Sequence, residues 1–492
     1  MTELFPPPPI KPLERIQVQD GLLMNAERWR RAHDYHHKRQ NVHYQSLNQP
    51  GIVCGLGVRL IAAPSEVAAQ YRDGRWLQVQ PGIAIDLVGN PIVVPEPIEY
   101  RIASENQTQD SLMVYLVVSY VDPEKLRRKE QREIVQETFR LDERISPPAE
   151  LEVELCRILL NPDAVKLENP TDVFFPGFNN IDLRYRNQAR SRPQAVVTMA
   201  QVNLSQQPDP QTFSNLSYLL QSVAVLYPAL EGADEVGQVD LQPGEKEETT
   251  KLSDYDLLFL KYQQSQSPRA RQWVILRQYL ESGGVLLVEA STEATAIKEL
   301  TAVQQELKKA IADLEGMGNR ANLGYQNPAE ETELLTIRQE LDTELAAINT
   351  EIEQEISNLS QIFQEFAQKL GTSLEPLEQL DRKCPLRIQP FLFAALPAIN
   401  EQPIHILMGG GIIVVLGNLS AAWGLGENLS LSRETIRSAQ EMGINILHFA
   451  WRRRQMMQLL QQDSKSKSAS ESSRPAPKKQ RTVKSILDEL AE

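Results

Sequence analysis

Four of the six histidines of this 492-residue sequence lie within eleven residues, at His33, His36, His37 and His43. His33 and His37 are four residues apart, a helical spacing at which two imidazoles can share a metal ion. The glutamate of the H-E-x-x-H pattern is absent, however, and four neighbouring arginine and lysine side chains would repel a divalent cation. We therefore expect no metal and no cofactor, but a polar helix whose histidine and aromatic edges pack on a β-rich domain.

Several polar residues accompany apolar runs in the second half of the chain, where parallel strands would place a catalytic site. Asp256 and Glu289 are expected near the carboxyl ends of such strands, and Lys261 follows one of the runs. Cys384 precedes a proline, and His448 lies inside an apolar segment typical of a core strand. None of these positions has the G-x-S-x-G turn of a nucleophile or a phosphate-binding glycine loop. The sequence therefore predicts no catalytic residues; the alternatives are a hydrolase or amidotransferase-like enzyme and a small-ligand-binding sensor.

Residues that could contact a partner or a membrane are concentrated in proline-rich and basic segments. Four consecutive prolines near the start favour an extended polyproline conformation. Basic side chains near an anionic membrane surface contribute about 1 kcal/mol each, although a solvated linker explains such clusters equally well. The last eight residues, SILDELAE, form a short amphipathic segment that could fold onto a partner. The contact candidates are Pro6, Pro7, Pro8, Pro9, Arg452, Arg453, Arg454, Lys478, Lys479, Arg481, Ile486, Leu487 and Leu490.

The composition excludes several classes of protein. With 51 lysine and arginine against 65 aspartate and glutamate residues, the formal net charge of −14 argues against general nucleic-acid binding. Cys54, Cys156 and Cys384 are far apart and show no C-x-x-C spacing, so we expect neither disulfides nor a zinc site, and a reducing compartment. Prolines occupy the positions where a signal peptide would have its apolar core. A chain of this length is expected to form two or three domains.

The first half is predicted to be β-rich with one leading helix. The helix begins at Asp20, its expected N-cap, and ends near residue 45. Strands dominate from residue 51 to about 160, with a hairpin turn at Gly89-Asn90. Residues 125–143 are predicted to be either a helix or a long hairpin excursion, and 151–160 a closing strand.

The second half of the chain has a different pattern of apolar residues. Near-continuous apolar runs at 222–230, 255–262 and 283–290, with a helix at 268–282, are typical of a doubly wound α/β sheet. Apolar residues at steps of three and four then predict an antiparallel, coiled-coil-like helical hairpin. Residues 404–426 carry no charged side chain, but their three consecutive glycines favour two buried strands over a membrane-spanning helix.

The remainder of the second half is predicted to be a helix from about residue 432 and a strand at 444–451. The expected segments of the whole chain are 1–20 (proline-rich arm), 21–160 (β-rich docking domain), 161–215 (irregular bridge), 216–295 and 377–455 (the two parts of the α/β domain), 296–376 (helical hairpin insertion) and 456–492 (disordered basic tail).

Two groups of motifs resemble known families. LERIQVQDGLLMNAERWRRAHDYHHKRQNVHY, GIVCGLGV and VQPGIAIDLVGNPIVV, within residues 13–160, resemble a module of proteins that accompany contractile, phage-tail-like injection systems. That resemblance implies a baseplate-associated or membrane-anchoring structural protein, with baseplate proteins and further copies as partners. It also implies a cytoplasmic location, including the cytoplasmic face of an internal (thylakoid) membrane in a cyanobacterium-like host.

The second group consists of YPAL, YDLLFLKY, LRQYLESGGVLLVEAS, LGNLSAAWG and QEMGINILHFA. It resembles the bacterial domain of unknown function 4159, whose fold is similar to class I glutamine amidotransferases. The Cys–His–Glu triad of that fold has no counterpart at the expected turns here. The sequence thus predicts a multidomain α+β protein, β-rich and then α/β (amidotransferase-like) with an inserted hairpin. Its expected function is that of a non-catalytic adaptor or structural subunit.

Overall fold

The computed structural model divides the chain into two compact units, Met1–Arg192 and Pro193–Glu492. For 316–321, 328–333 and 461–471 it describes the backbone alone. The residues that it describes are 12–104, 110–122, 134, 136–162, 166–203, 210–241, 252–262, 268–292, 295–321, 328–380, 383–399, 402–424 and 431–471.

The first unit consists of helix α1 (Ala26–Leu47) and antiparallel strands in three sheets, ordered β1-β4-β5, β2-β3-β6 and β10-β9-β7-β8. Alternating side chains of these strands, such as Leu77, Leu116 and Leu155, form one apolar core. The strands are β1 Gly51–Gly55, β2 Val58–Leu60, β3 Trp76–Val79, β4 Gly82–Ile85, β5 Pro91–Val94, β6 Ile98–Arg101, β7 Leu112–Val121, β8 Thr138–Arg144, β9 Glu152–Leu160 and β10 Ile181–Asp182.

Helix α1 begins later than the sequence predicts. Its N-cap is Asn25, whose side-chain oxygen accepts a hydrogen bond of 2.9 Å from the backbone N–H of Arg28. Asp20 instead lies in a turn, because Gly21 adopts a φ of +80°, which no helix tolerates. The helix is exposed along most of its length, and Gln45 is its buried residue.

The predicted hairpin around Gly89-Asn90 is confirmed, since β4 and β5 pair antiparallel. Asp86 stabilises its turn by accepting hydrogen bonds from the backbone N–H groups of Val88 (3.0 Å) and Asn90 (2.8 Å). Of the segment 125–143, residues 138–143 belong to β8, which pairs with β7, so the helix alternative is wrong there. Residues 123–133 and 135 lie outside the described residues.

The end of the expected irregular bridge is regular structure. Strands β11 (Ala195–Val197) and β12 (Met199–Asn203) and the start of helix α2 (Pro210–Leu226) fall within 161–215. The strands are short and their side chains partly polar, so the alternation that would reveal them spans too few residues. The second unit accordingly begins at Pro193.

The second unit is built on a seven-stranded sheet of order β14-β12-β15-β16-β21-β20-β17, whose first five strands are parallel. The remaining strands are β13 Leu230–Gly232, β14 Gly237–Asp240, β15 Leu257–Tyr262, β16 Val285–Ala290, β17 Glu375–Pro376, β18 Ala398–Ile399, β19 Gln402–Pro403, β20 His405–Gly409 and β21 Ile412–Leu416. The remaining helices are α3 Ala270–Glu281, α4 Ala296–Ala321, α5 Pro328–Lys369, α6 Pro385–Ile388 and α7 Arg433–Glu471.

Helices cover both faces of this sheet, as in a doubly wound fold. On one face α2 and α7 contribute side chains such as Leu219 and Leu447 to the core. On the other, α3 and the end of α5 contribute Leu276, Phe363 and Phe366. The α/β sheet predicted for this half of the chain is therefore present.

Two predicted strands of this half are helical. Residues 222–226 end helix α2, and 444–451 lie within α7. In α7 Ile444, Ile446 and Leu447 are all fully buried, so the segment is apolar on several sides and has the composition of a buried strand. Helix α7 also continues to Glu471, so residues 456–471 of the expected disordered tail are helical. Residues 472–492 lie outside the described residues.

Helices α4 and α5 form the predicted antiparallel hairpin. Gln304 donates a hydrogen bond of 2.5 Å to Asn349, and Arg338 forms an ion pair of 2.6 Å with Glu315. Because the partner of a later α4 residue lies earlier in α5, the two helices run in opposite directions. Helix α5 has 42 residues and is about 63 Å long.

The uncharged segment 404–426 contains the two predicted strands, β20 and β21, paired antiparallel. Gly410 and Gly411 form the turn between them with φ values of +56° and +90°. Among the residues described here, no helix is both long and apolar enough to span a bilayer.

Candidate functional site

The carboxyl end of the parallel sheet is occupied by a buried Glu289 on β16. Its carboxylate accepts hydrogen bonds from the backbone N–H of Ser420 (2.6 Å) and from the hydroxyl of the same serine (2.5 Å). Burial raises the pKa of Glu289, and the bonds from Ser420 oppose that rise. The carboxylate thereby holds the short 3₁₀ turn Ser420–Trp423 against the sheet, a structural role.

Lys261 lies beside Glu289 on the neighbouring strand β15, with which it is in register. Its ammonium group lies 3.3 Å from the hydroxyl of Thr212 in the first turn of α2. Within the described residues, no hydrogen bond joins a histidine ring to a serine or cysteine side chain.

Asp256 lies at the other end of the sheet, which corrects its predicted position. It precedes β15, and its carboxylate accepts a hydrogen bond of 2.9 Å from the backbone N–H of Thr198. Arg454 lies 3.6 Å away on α7. Burial raises the pKa of Asp256, and the hydrogen bonds from Thr198 and the charge of Arg454 oppose that rise.

The three predicted contact arginines of α7 are bound within the second unit. Arg453 donates hydrogen bonds to the backbone carbonyls of Leu280 (3.1 Å), Gly284 (2.6 Å) and Gly410 (3.2 Å). It thus ties the end of α3, the start of β16 and the turn after β20 together. Arg452 donates to the side-chain oxygen of Gln389, and Arg454 pairs with Asp256 as above. A Cβ at Gly411 would lie 2.6 Å from the Arg453 guanidinium carbon, and the φ of +90° at this residue explains the glycine.

His448 is a core residue of α7. Its side chain is buried and its ring packs near the rings of Tyr227 (6.0 Å between centroids) and Trp451 (5.6 Å). Burial lowers its pKa to about 4, assisted by the charge of Arg452. A neutral ring in an apolar setting agrees with the predicted core position, although the element is a helix.

The histidines of α1 contact aromatic rings. His37 packs against Tyr120 of β7 with 6.0 Å between ring centroids, as expected for packing on the β-rich unit. His33 contacts Trp29 of the same helix, and His36 and His43 each contact the adjacent tyrosine. In the part of the chain that the structure describes, no group of three or more potential ligand side chains is placed to hold a metal ion.

The other contact candidates, in 6–9 and 478–490, lie outside the described residues. The described part of the first unit instead presents an apolar loop at 172–178, with sequence DVFFPGF. Its side chains Val173, Phe174, Phe175 and Phe178 are 60%, 69%, 80% and 55% exposed. This loop falls within the segment expected to be an irregular bridge, to which the sequence assigned no role; three phenylalanines in a polar stretch were the available signal.

A groove of about 1050 Å³ runs along α1, between the helix and residues 12–22. Ile16, Leu22, Tyr35 and Val42 line it with half-buried apolar surface. Its volume is at the upper end of the range of small-molecule sites, about 300–1,000 Å³, and a groove along a helix also suits a peptide.

Comparison with known proteins adds little. No protein-family model matches the chain, so its resemblance to domain of unknown function 4159 has no support there. No curated protein matches it either. Among solved structures, the crystal structure of TssK is similar over 55% of this chain and 61% of that chain, at 13% identity and a TM-score of 0.21. The match thus covers less than two thirds of that chain, and a TM-score this low supports no inference about function.

Proposed function

We propose that this protein is a non-catalytic adaptor or structural subunit that docks to a partner protein through the loop 172–178. The observation that carries this proposal is the exposure of four neighbouring large apolar side chains in that loop. Contiguous exposed apolar surface is uncommon on a protein that functions alone. Burying one such side chain contributes about 1.5–3 kcal/mol, and aromatic anchors dominate the affinity of many interfaces.

Hydrogen bonds hold the loop in one conformation. The backbone N–H of Phe174 donates to the carboxylate of Asp172 (2.8 Å), and that of Gly177 to the side chain of Asn180 (2.9 Å). Arg184 donates to the carbonyl of Phe174 (3.0 Å). A loop already ordered in the free protein loses less conformational entropy on binding, which favours docking into a shaped protein pocket.

The second unit supports an adaptor rather than a hydrolase. Glu289 and Asp256 are buried and bonded to Ser420 and Thr198, so both carboxylates serve the fold. His448 is held neutral within a helix that packs under the sheet. No observation favours an amidotransferase-like reaction or a small-ligand sensor.

The resemblance of residues 13–160 to proteins that accompany phage-tail-like contractile injection systems supports a more specific proposal. The partner is then a baseplate protein of such a particle, and the protein works in the cytoplasm. Membrane anchoring is a competing use of an aromatic loop, and the experiment below separates the two.

The experiment compares the wild type with the double variant Phe174→Ser, Phe175→Ser. A matched control, Val225→Ser with Val274→Ser, removes two apolar side chains that are 80% and 54% exposed on helices of the second unit. We expect the wild type and the control to co-purify with contractile particles and the loop variant to be lost, with its melting temperature unchanged.

Retention of the loop variant on particles would contradict docking through this loop. If both variants still bound the particles, and if binding to phospholipid vesicles required the loop, the loop would be assigned to a membrane instead.

A further inference from the structure

The groove along α1 combines an apolar floor with a basic rim. Arg15, Arg28, Arg31 and Lys38 line it, against the two acidic side chains Glu14 and Asp34. Arg28 donates to the carbonyl of Leu23 and Arg31 pairs with Glu27, and all four basic side chains are exposed. Such a groove fits a short segment with a few apolar side chains and an excess of negative charge.

One segment of this same chain has that chemistry. Residues 485–492, SILDELAE, carry three acidic and no basic side chains, and their apolar residues are Ile486, Leu487 and Leu490. The preceding residues 472–484 carry five basic and no acidic side chains, so the basic rim would repel them. The arm before the groove, 1–11, has one acidic and one basic residue and offers no matching charge.

We propose that residues 485–492 of a second copy of this protein bind in the groove along α1. Helix α7 continues about 25 Å beyond Arg454, and the 13 residues 472–484 separate its end from the segment, which gives the segment the reach to bind a neighbouring copy. The α7 side chains Met456, Leu459 and Leu460 are exposed over this stretch.

The contact joins the tail of one copy to the groove of the next. Such a heterologous contact repeats from copy to copy and produces a ring or a filament. This inference is independent of the docking loop 172–178, since the two surfaces share no residue.

A charge exchange in the full-length chain tests the proposal. The groove variant is Arg15→Glu with Lys38→Glu, the tail variant is Asp488→Lys with Glu489→Lys, and a third chain combines both. The control, Arg140→Glu with Arg190→Glu, reverses two exposed charges of the same unit outside the groove. Self-association is measured by sedimentation velocity over a range of protein concentrations, with circular dichroism to establish that each variant is folded.

We expect the wild type and the control to self-associate with concentration. The groove and tail variants should each bind at least about tenfold more weakly, and the combined chain should recover to within about threefold of the wild type. Mixing the groove variant with the tail variant should give only dimers, because one intact groove meets one intact tail.

Three outcomes would overturn the proposal. These are a wild type that is monomeric at every concentration, self-association that survives both single variants, and self-association that depends on residues 1–11 but not on the tail charges. The Phe174→Ser, Phe175→Ser variant should self-associate like the wild type, which keeps this test separate from the docking experiment.

Discussion

Burial of ionisable side chains in the second unit makes its stability depend on pH in two opposite ways. The pKa values of Asp256 and Glu289 are raised in the folded state. Their contribution to the unfolding free energy is therefore complete at low pH and is lost as pH rises through the folded-state pKa values. The pKa of His448 is lowered from 6.5 to about 4. The contribution of His448 to the unfolding free energy is therefore complete above about pH 6.5 and is lost as pH falls toward 4.

Replacement of His448 by leucine isolates the second effect. Between pH 6.5 and 4 the wild type should lose about 3 kcal/mol more of its unfolding free energy than His448→Leu, because only the wild type must keep a titrating ring uncharged. Urea unfolding of the second unit, followed by hydrogen exchange of α7, measures the difference. His43→Leu, at an exposed position of α1 in the first unit, is the control for replacing a histidine by leucine. Equal pH slopes for wild type and His448→Leu would show that the ring is hydrated in the folded state.

At single residues, sequence patterns located important positions but not their contacts. The run at 452–454 predicts a basic surface, yet Arg453 binds carbonyls of residues 280, 284 and 410. Those partners are 43 to 173 residues distant in sequence, and no local pattern contains them. The absence of a nucleophile turn near Glu289 was visible in the sequence, whereas its bond to Ser420 was not.

Among the elements, the hairpin of α4 and α5 is attached to the sheet at its base. Phe363, Phe366 and Leu370 of α5 are buried in the core of the sheet. Farther out, from Gln304 and Asn349 toward the tip, the described contacts join the two helices to each other. The outer hairpin should therefore contribute little to the stability of the sheet.

Replacing residues 306–347 with a four-residue glycine-rich turn tests this. Because Gln304 and Asn349 are hydrogen-bonded, the new turn can join the helices without strain. The unfolding free energy of the sheet should change by less than about 1 kcal/mol, whereas Phe363→Ala should cost about 3–5 kcal/mol. Chemical denaturation gives both values, and a large loss on shortening would contradict attachment at the base alone.

The elements that sequence predicted best were those with a long, regular pattern. The hairpin helices and the strands at 257–262 and 285–290 follow such patterns. Residues 444–451 were misassigned because a helix buried on several sides and a buried strand are equally apolar. The strands at 195–203 were missed because neither is longer than five residues.

At the level of the whole molecule, each compact unit has its own apolar core. The core around Leu155 belongs to Met1–Arg192, and the two cores on the faces of the large sheet belong to Pro193–Glu492. A unit with its own core can unfold as a separate cooperative transition.

Calorimetry should accordingly resolve two transitions. Leu155→Ala, at a fully buried position, should lower the first unit's stability by about 2–5 kcal/mol and shift only its transition. Phe259→Ala, fully buried in the second unit, should shift only the other. A single transition that moves with either substitution would mean that the units unfold together.

Because α4 and α5 are inserted after β16, the hairpin can lengthen during evolution without any change in the sheet. Seven residues added to each helix would move the tip outward by about 10 Å and displace no strand of the sheet. The length of the hairpin can thus change in steps of about 10 Å while the strand order and pairing of the sheet stay the same.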